Sequence, residues 1–398
     1  MFEDVVKENK VENEKEVFSK IISFIDKIKK SIKKNRIKAI AQLGGSAAKG
    51  TFLRDFDVDI FVKFALSYKN EALSDILERI LKIFNNARRV HGSRDYFEVI
   101  ENSINYEIIP VLNIKKPGDA KNVTDFSPLH VKWVKKNIGN FQNDILLAKL
   151  FCKAQGVYGA ESYIGGFSGH IIDILVIYYK GFLNLLKNSL KWGDGEIIDV
   201  MHYYKNKRLD INKSKLSPLI IIDPLQKGRN AAAALRKEKI EKFREAAVLF
   251  LKSPSRDFFV KKKMEIKEGA AIIEATPLDG KEDVVGSKLL KVFDFIKTEI
   301  ALNDFQLEDS GWEFNDKKTI MWFLVKNKIL SKTKIHEGPP LKAAKHVENF
   351  KNKYKKTFIK NNRIYAEVSR EFINIDELIK NSIKADYVTE KIKKINLK

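Results

Sequence analysis

The run Leu43-Gly44-Gly45-Ser46-Ala47-Ala48-Lys49-Gly50-Thr51, followed a few residues later by Asp57-Val58-Asp59, decides how this chain is read. Upstream of it, Ile37 to Leu43 reads as a short strand, and the two glycines interrupt it. Ser46 to Thr51 then reads as the first turn of a short helix. Backbone N–H groups at such a start can cradle phosphate oxygens, with the Ser46 hydroxyl and the Lys49 ammonium as further donors. A strand-to-helix turn capped by serine is the plainer alternative.

Side chains two apart on a strand share a face, so Asp57 and Asp59 project together while Ile60-Phe61-Val62 pack. Held about 6–7 Å apart, two carboxylates repel unless a cation lies between them. Magnesium suits such a pair, because it takes oxygen ligands from one or two carboxylates and from substrate phosphates. A third carboxylate is available in Ile104-Asn105-Tyr106-Glu107-Ile108-Ile109-Pro110-Val111, where alternation puts Glu107 on one face with Asn105 and Ile109. Each of these acids, taken singly, also reads as a solvated edge residue.

Taken together, Gly44-Gly45-Ser46, Gly50-Thr51, Asp57-Val58-Asp59 and Glu107-Ile108-Ile109-Pro110 resemble the polymerase-beta nucleotidyltransferase superfamily. Further segments narrow the resemblance to the archaeal-type (class I) tRNA CCA-adding enzymes. They are Ser127-Pro128-Leu129-His130, Gly156-Val157-Tyr158-Gly159, Gly166-Phe167-Ser168-Gly169, Ile222-Asp223-Pro224, Arg229-Asn230-Ala231-Ala232 and His336-Glu337-Gly338-Pro339-Pro340. The resemblance implies that Asp57, Asp59 and Glu107 are catalytic and hold two Mg2+ ions. It implies that Ser46 and Lys49 contact the triphosphate of CTP or ATP. It places His130, Lys149 and Tyr158 at further nucleotide-binding positions, and gives Arg229 a part in choosing between cytosine and adenine. Two positions depart from the family pattern. Glu107 stands where aspartate is usual, and Lys49 stands where arginine is frequent, which keeps the charge but loses a bidentate fork.

The implied fold is α+β: a polymerase-beta-like nucleotidyltransferase head, a mainly helical neck, and an RNA-binding α/β body with a small helical tail. The expected segments are 1–133, 134–253 and 254–398. Residues 16–34 read as an amphipathic helix with the stripe Val17, Ile21, Ile22, Phe24, Ile25 and Ile28. Strands are expected near 37–43, 57–64, 95–100 and 105–112, with a helix near 71–86. In the neck, Gly156 reads as a C-cap and Ser168 as an N-cap, and Leu219 to Ile222 as an inserted strand. Further on, 270–275, 318–326 and 363–370 read as strands and 286–300 as a helix. Lys342 to Lys356 interleaves six lysines with His346, Phe350 and Tyr354, a surface suited to an RNA backbone.

Composition agrees. The 398 residues carry 74 Lys+Arg against 52 Asp+Glu, a net charge of +22 that favours an acidic polymer as partner. A single cysteine, Cys152, excludes an internal disulfide and any cysteine-based zinc cluster. The acidic, polar N-terminus has no secretory signal pattern, and the most apolar run, Ile171 to Tyr179, is interrupted by Asp173 and too short to span a bilayer. A cytoplasmic enzyme acting on tRNA with CTP and ATP is the expectation, without a membrane partner; a homodimer is one arrangement the family suggests. The competing readings are a poly(A)- or uridylyl-adding transferase, and an RNA-binding protein whose head has lost catalysis.

Overall fold

In a computed structural model, which describes residues 2–205, 209–261, 265–315 and 318–398, the chain forms two compact units, Met1–Lys262 and Lys263–Lys398. The first begins with α1 (Glu3–Asn9) and α2 (Glu14–Lys34), then β1 (Ala39–Leu43), α3 (Gly45–Lys49) and β2 (Val58–Phe64). α4 (Leu73–Leu81), β3 (Arg88–Val90), β4 (Tyr96–Glu101) and β5 (Ile104–Leu112) follow. These strands make one sheet in the order β1-β2-β5-β4-β3, with β2 and β5 parallel and every other pair antiparallel.

Alternation gives the sheet two different faces. Val58, Ile60, Val62 and Phe64 of β2 are fully buried against α2 and α4, in a core that includes Ile21, Phe24, Ile25, Ile28 and Leu77. Phe24 stacks on Tyr106 of β5 with ring centroids 3.7 Å apart. Burying each such side chain contributes about 1.5–3 kcal/mol, so this stripe fixes which face is inward. Ile22, expected on the stripe, is exposed: one position past Ile21 it points about 100° away. The other face, carrying Asp59 and Phe61, is covered by α3 and by α5 (Ser127–Asn137), where Phe61, Val111 and Val131 pack together.

α5 runs unbroken across residue 133, so the expected head–neck border falls inside a helix. The neck continues with α6 (Gln142–Ala154), α7 (Gly169–Tyr179), α8 (Phe182–Ser189), β6 (Glu196–Ile198), β7 (Leu219–Asp223), β8 (Gln226–Asn230) and α9 (Lys237–Lys252). The inserted strand is thus one of three in a small sheet, β6-β7-β8. Two segments lie in the neck core although their sequence position places them elsewhere. Val5 and Val6 of α1 are buried there, and so is Phe259, beyond residue 253. Cys152 is buried in the same core, and burial pushes its thiol up out of the reactive range. Among the described residues no single helix is long and apolar enough to cross a membrane.

The second unit has β9 (Ala271–Pro277), α10 (Glu282–Leu302), β10 (Leu307–Phe314) and β11 (Thr319–Val325). Then come β12 (Thr333–Pro340), α11 (Ala344–Lys353), β13 (Thr357–Lys360), β14 (Arg363–Ser369), α12 (Ile375–Ser382), α13 (Asp386–Thr389) and β15 (Ile392–Leu397). One antiparallel sheet has the order β10-β11-β9-β15, in which β15 returns to pair with β9, Leu397 opposite Ile273. This is the split β-α-β arrangement of a ferredoxin-like fold, with α10 and α12 contributing to its core. Between β11 and α12 sits an insertion, the sheet β12-β14-β13 with α11 upon it. After the insertion the chain is helical again in α12 and α13, and β15 then closes the first sheet.

Candidate active site

Parallel pairing of β2 with β5 sets Asp59 directly opposite Glu107. Asp57 lies one residue before β2 rather than inside it, so strand alternation does not orient it; the Asn105 side chain of β5 does, donating a hydrogen bond to its Oδ1 at 2.9 Å. The three acids line one cavity of ≈ 300 Å³ together with Ser46, Thr51, Lys149, Lys153 and Tyr158. Six of the nine residues expected from sequence therefore meet in a single place: Ser46, Asp57, Asp59, Glu107, Lys149 and Tyr158.

Local backbone chemistry explains how the acids are held. Gly44 N–H donates to the Asp59 carbonyl at 2.8 Å, joining the turn to the strand. Gly45 then adopts φ +53°, and a β-carbon there would fall 1.6 Å from Asp59 Oδ2. Only glycine leaves room for that carboxylate and accepts the left-handed conformation without penalty. α3 starts at Gly45 with Gly44 as its N-cap, so Ser46 is free of capping duty and faces the acids. Burial raises Asp59 to about 6, with Lys49 opposing the shift and the Asp57 charge adding to it. A carboxylate recessed and crowded by a second one ionises more readily when a cation lies beside it.

Opposite the acids, α6 supplies Lys149, almost fully buried, which donates to the Thr51 carbonyl at 2.8 Å and to its hydroxyl at 3.1 Å. Burial lowers its ammonium to about 8, against the pull of Asp173. Gly156, at φ +64°, turns the chain out of α6 and aims Tyr158 inward, with the Lys153 ammonium 5.5 Å from its ring. The Ser168 hydroxyl caps α7 by accepting from Ile171 N–H, as its place before Gly169 suggested.

The other three expected residues lie elsewhere. Lys49 does not line the acid cavity, although its charge reaches Asp59, and donates to Asp173 Oδ2 at 2.5 Å. Asp173 is completely buried and also lies 3.8 Å from Lys149, so one carboxylate neutralises two lysines. Burial opposes its ionisation, yet Lys49 and Lys149 together hold it below the usual carboxylate range. His130 and Arg229 meet at Asp223. His130 Nε2 is 3.0 Å from both carboxylate oxygens, and Arg229 Nη1 donates to Oδ2 at 2.5 Å. Burial works against the Asp223 charge, but His130 and Arg229 bring it down to about 2.

The His170 ring packs 4.3 Å from that of His130, and burial, then the His130 charge, lowers it to about 3. Donor atoms of His130, His170 and Asp223 fall within 4.8 Å of one another. The Arg229 guanidinium already balances that carboxylate, so the cluster is an ion pair in its present form. None of Asp173, Asp223, His170 and Asn105 was given a role from sequence. Asp173 had a readable signal, a carboxylate alone in an apolar run, which demands a buried cation.

Comparison with known proteins matches three family models along the chain. Residues 25–122 match the nucleotidyltransferase domain, 143–260 the second domain of tRNA nucleotidyltransferase, and 270–394 the C-terminal domain of CCA-adding enzymes. The CCA-adding enzyme of Nanoarchaeum equitans is 37% identical over 338 residues, 83% of this chain and 84% of that protein. That of Methanocaldococcus jannaschii is 30% identical over 408 residues, 96% of this chain and 90% of its own length. A solved cytoplasmic RNA terminal U-transferase superposes with TM-score 0.52 at 13% identity, covering 66% of this chain and 97% of that one, a likeness of fold.

Proposed function

Since the chain belongs to the archaeal-type CCA-adding enzymes of the nucleotidyltransferase superfamily, adding C, C and A to the 3′ end of tRNA from CTP and ATP, we propose that it does so in the cavity of Asp57, Asp59 and Glu107. The observation that carries this assignment is the register match of Asp59 with Glu107, beside an Asp57 already oriented by Asn105. The RNA 3′-hydroxyl attacks the nucleotide α-phosphate, the new phosphodiester forms, and pyrophosphate leaves.

An all-oxygen donor set around a carboxylate held near 6 fits a hard divalent cation such as Mg2+. Asp57, Asp59 and Glu107 would hold two such ions, which when bound activate the hydroxyl and neutralise the leaving charge. Glu107 is one methylene longer than aspartate, and its place directly across from Asp59 keeps it within reach.

The remaining side chains bind and orient. Ser46 donates its hydroxyl to the triphosphate from the start of α3. Lys149, fixed by Thr51, presents an ammonium that keeps its proton more firmly once phosphate oxygens approach. Tyr158 closes the cavity with its ring. Lys49 acts through Asp173, setting the charge that Lys149 feels, and contacts phosphate only on exchanging that partner. Arg229, locked beside His130 by Asp223, offers its remaining N–H donors to the base in one fixed orientation, with the His130 ring set next to it, which favours reading cytosine and adenine by shape and hydrogen bonding. We assign 1–133 to catalysis, 134–253 to completing the nucleotide pocket and 254–398 to RNA binding, in the cytoplasm.

The test is Asp59→Asn, with labelled CTP and ATP and a tRNA lacking its 3′ CCA. Incorporation falls by about 10²–10³ or more, while tRNA affinity in a gel shift stays unchanged. Incorporation close to that of the parent would refute the assignment. Addition of C, C, A and then a stop separates this reading from homopolymer tailing.

A further inference from the structure

A second and larger cavity, ≈ 990 Å³, opens on the same face of the head sheet, beyond α3 and α5. Lys63 of β2, one of its lining residues, lies four residues and about 13 Å along the strand from Asp59. Its chemistry is the reverse of the acid cavity. Lys63 of β2, Lys115, and Lys132 and Lys135 of α5 converge on it. Among the described residues no acid pairs with any of these four; Lys63 donates only to Gln42 Oε1, at 3.2 Å. Asp125, the one acid in the lining, is fully buried and spent on Arg94 and on the Leu112 N–H. Burial, and then the charge of Lys132, lowers the Lys63 ammonium.

The floor is apolar: Ala48, Leu129 and Val131, with Phe18 at one side; Leu43 and Leu112 also border it, but their register with Ile60 and Phe64 puts their side chains in the core on the opposite face of the sheet. Four cations above an apolar floor match a ligand with several negative charges at one end and a flat, weakly polar body at the other. A single phosphate would leave most of the lysines unsatisfied, and an extended RNA backbone would leave the apolar floor uncovered. We propose that this basic cavity is a second, non-catalytic binding site for a nucleoside triphosphate, held without a metal ion by Lys63, Lys115, Lys132 and Lys135. Ala47, Ala48 and Lys49 of α3 form its wall, while Ser46 of the same helix faces the acids, so the two cavities are separated by one helical turn.

Equilibrium dialysis of the full chain with a radiolabelled non-hydrolysable ATP analogue in excess EDTA tests the proposal, since the acid cavity then lacks its cations. Inorganic triphosphate and tRNA serve as competitors. The expected result is saturable binding near one equivalent, displaced by inorganic triphosphate. In Lys63→Ala/Lys132→Ala the affinity drops about tenfold or more, each lost charge-assisted hydrogen bond contributing. CTP addition by the same variant keeps the parent kcat, which shows that the fold and the acid cavity are intact. Three outcomes overturn the proposal: no binding in EDTA, equal binding by the double variant, or displacement by tRNA but not by triphosphate, which would give the cavity to RNA.

Discussion

Gly45→Ala isolates the geometry of the acid cavity without touching any of its charges. The added methyl begins 1.6 Å from Asp59 Oδ2, whereas ordinary contact starts at 3.4 Å, so oxygen and methyl must separate by about 1.8 Å. The backbone at φ +53° adds a left-handed penalty of about 1–2 kcal/mol for any residue with a β-carbon. Mg–O bonds of about 2.0–2.1 Å tolerate little displacement, and a misplacement of about 1 Å can cost 10²-fold in rate. Single-turnover addition of labelled CTP to tRNA lacking CCA, run across a magnesium titration, should show a loss of about 10²-fold or more and a raised magnesium requirement. Gly44→Ala is the control. Its φ is −123°, and a methyl there meets the edge of the Phe61 ring at 2.5 Å instead of a carboxylate. It should cost about 1–3 kcal/mol of stability by crowding and much less activity. A Gly45→Ala enzyme with the parent's rate and magnesium requirement would refute the claim that this glycine makes room for the ligand.

Two further expectations concern pH. Burial raises Asp59 above its usual 3.8 to about 6 in the cation-free protein, so its own contribution to stability is complete below about pH 4 and is lost as pH rises through 6. A divalent ion needs the ionised form, so the magnesium-induced rise in Tm should be full at pH 7.5, with apparent affinity falling about tenfold per unit below pH 6; a rise constant from pH 5 to 8 would contradict this. Lys149, lowered to about 8 by burial against the pull of Asp173, loses its proton as pH passes that value, so KM for CTP should climb between pH 7 and 9. Lys149→Met should show a high KM without that slope in steady-state kinetics. Asp173→Asn removes the counter-charge of both Lys49 and Lys149 and should cost about 3–5 kcal/mol in urea unfolding; a loss below about 1 kcal/mol would show that the triad is dispensable.

What could be read from the residues alone follows the range of the interactions concerned. The β1–α3–β2 turn and Asp59 were legible because alternation and glycine breaks are local, whereas Asp57, just outside β2, and Glu107, one strand glutamate among several, gained their weight from the family resemblance. The stripe of α2 was legible for the same reason, except at Ile22, where one step of the helix was misassigned. Lys49 shows the opposite case. Its position near a phosphate-sized turn suggests a phosphate contact, but its partner Asp173 lies far along the chain and wins because burial makes that pairing obligatory. His130 and Arg229 likewise make their first contacts with Asp223, and no spacing rule connects these three positions. In the second unit, single strands were visible but not their pairing order, since antiparallel sheets with an insertion have no local signature of register.

The return of β15 to β9 also sets an order of events during synthesis. β9 leaves the ribosome well ahead of the strand that covers its outer flank, which follows only after α10, β10, β11, the whole β12–β14 insertion, α12 and α13 have been made. At ordinary elongation speeds that interval is on the order of ten seconds, far longer than hairpins need to form. Throughout it, a ladder edge flanked by Ile272 and Ile273 stands open to any other extended chain. The body of this enzyme is therefore most exposed to mispairing while nascent, and its yield should respond to the speed of elongation more than its finished stability does.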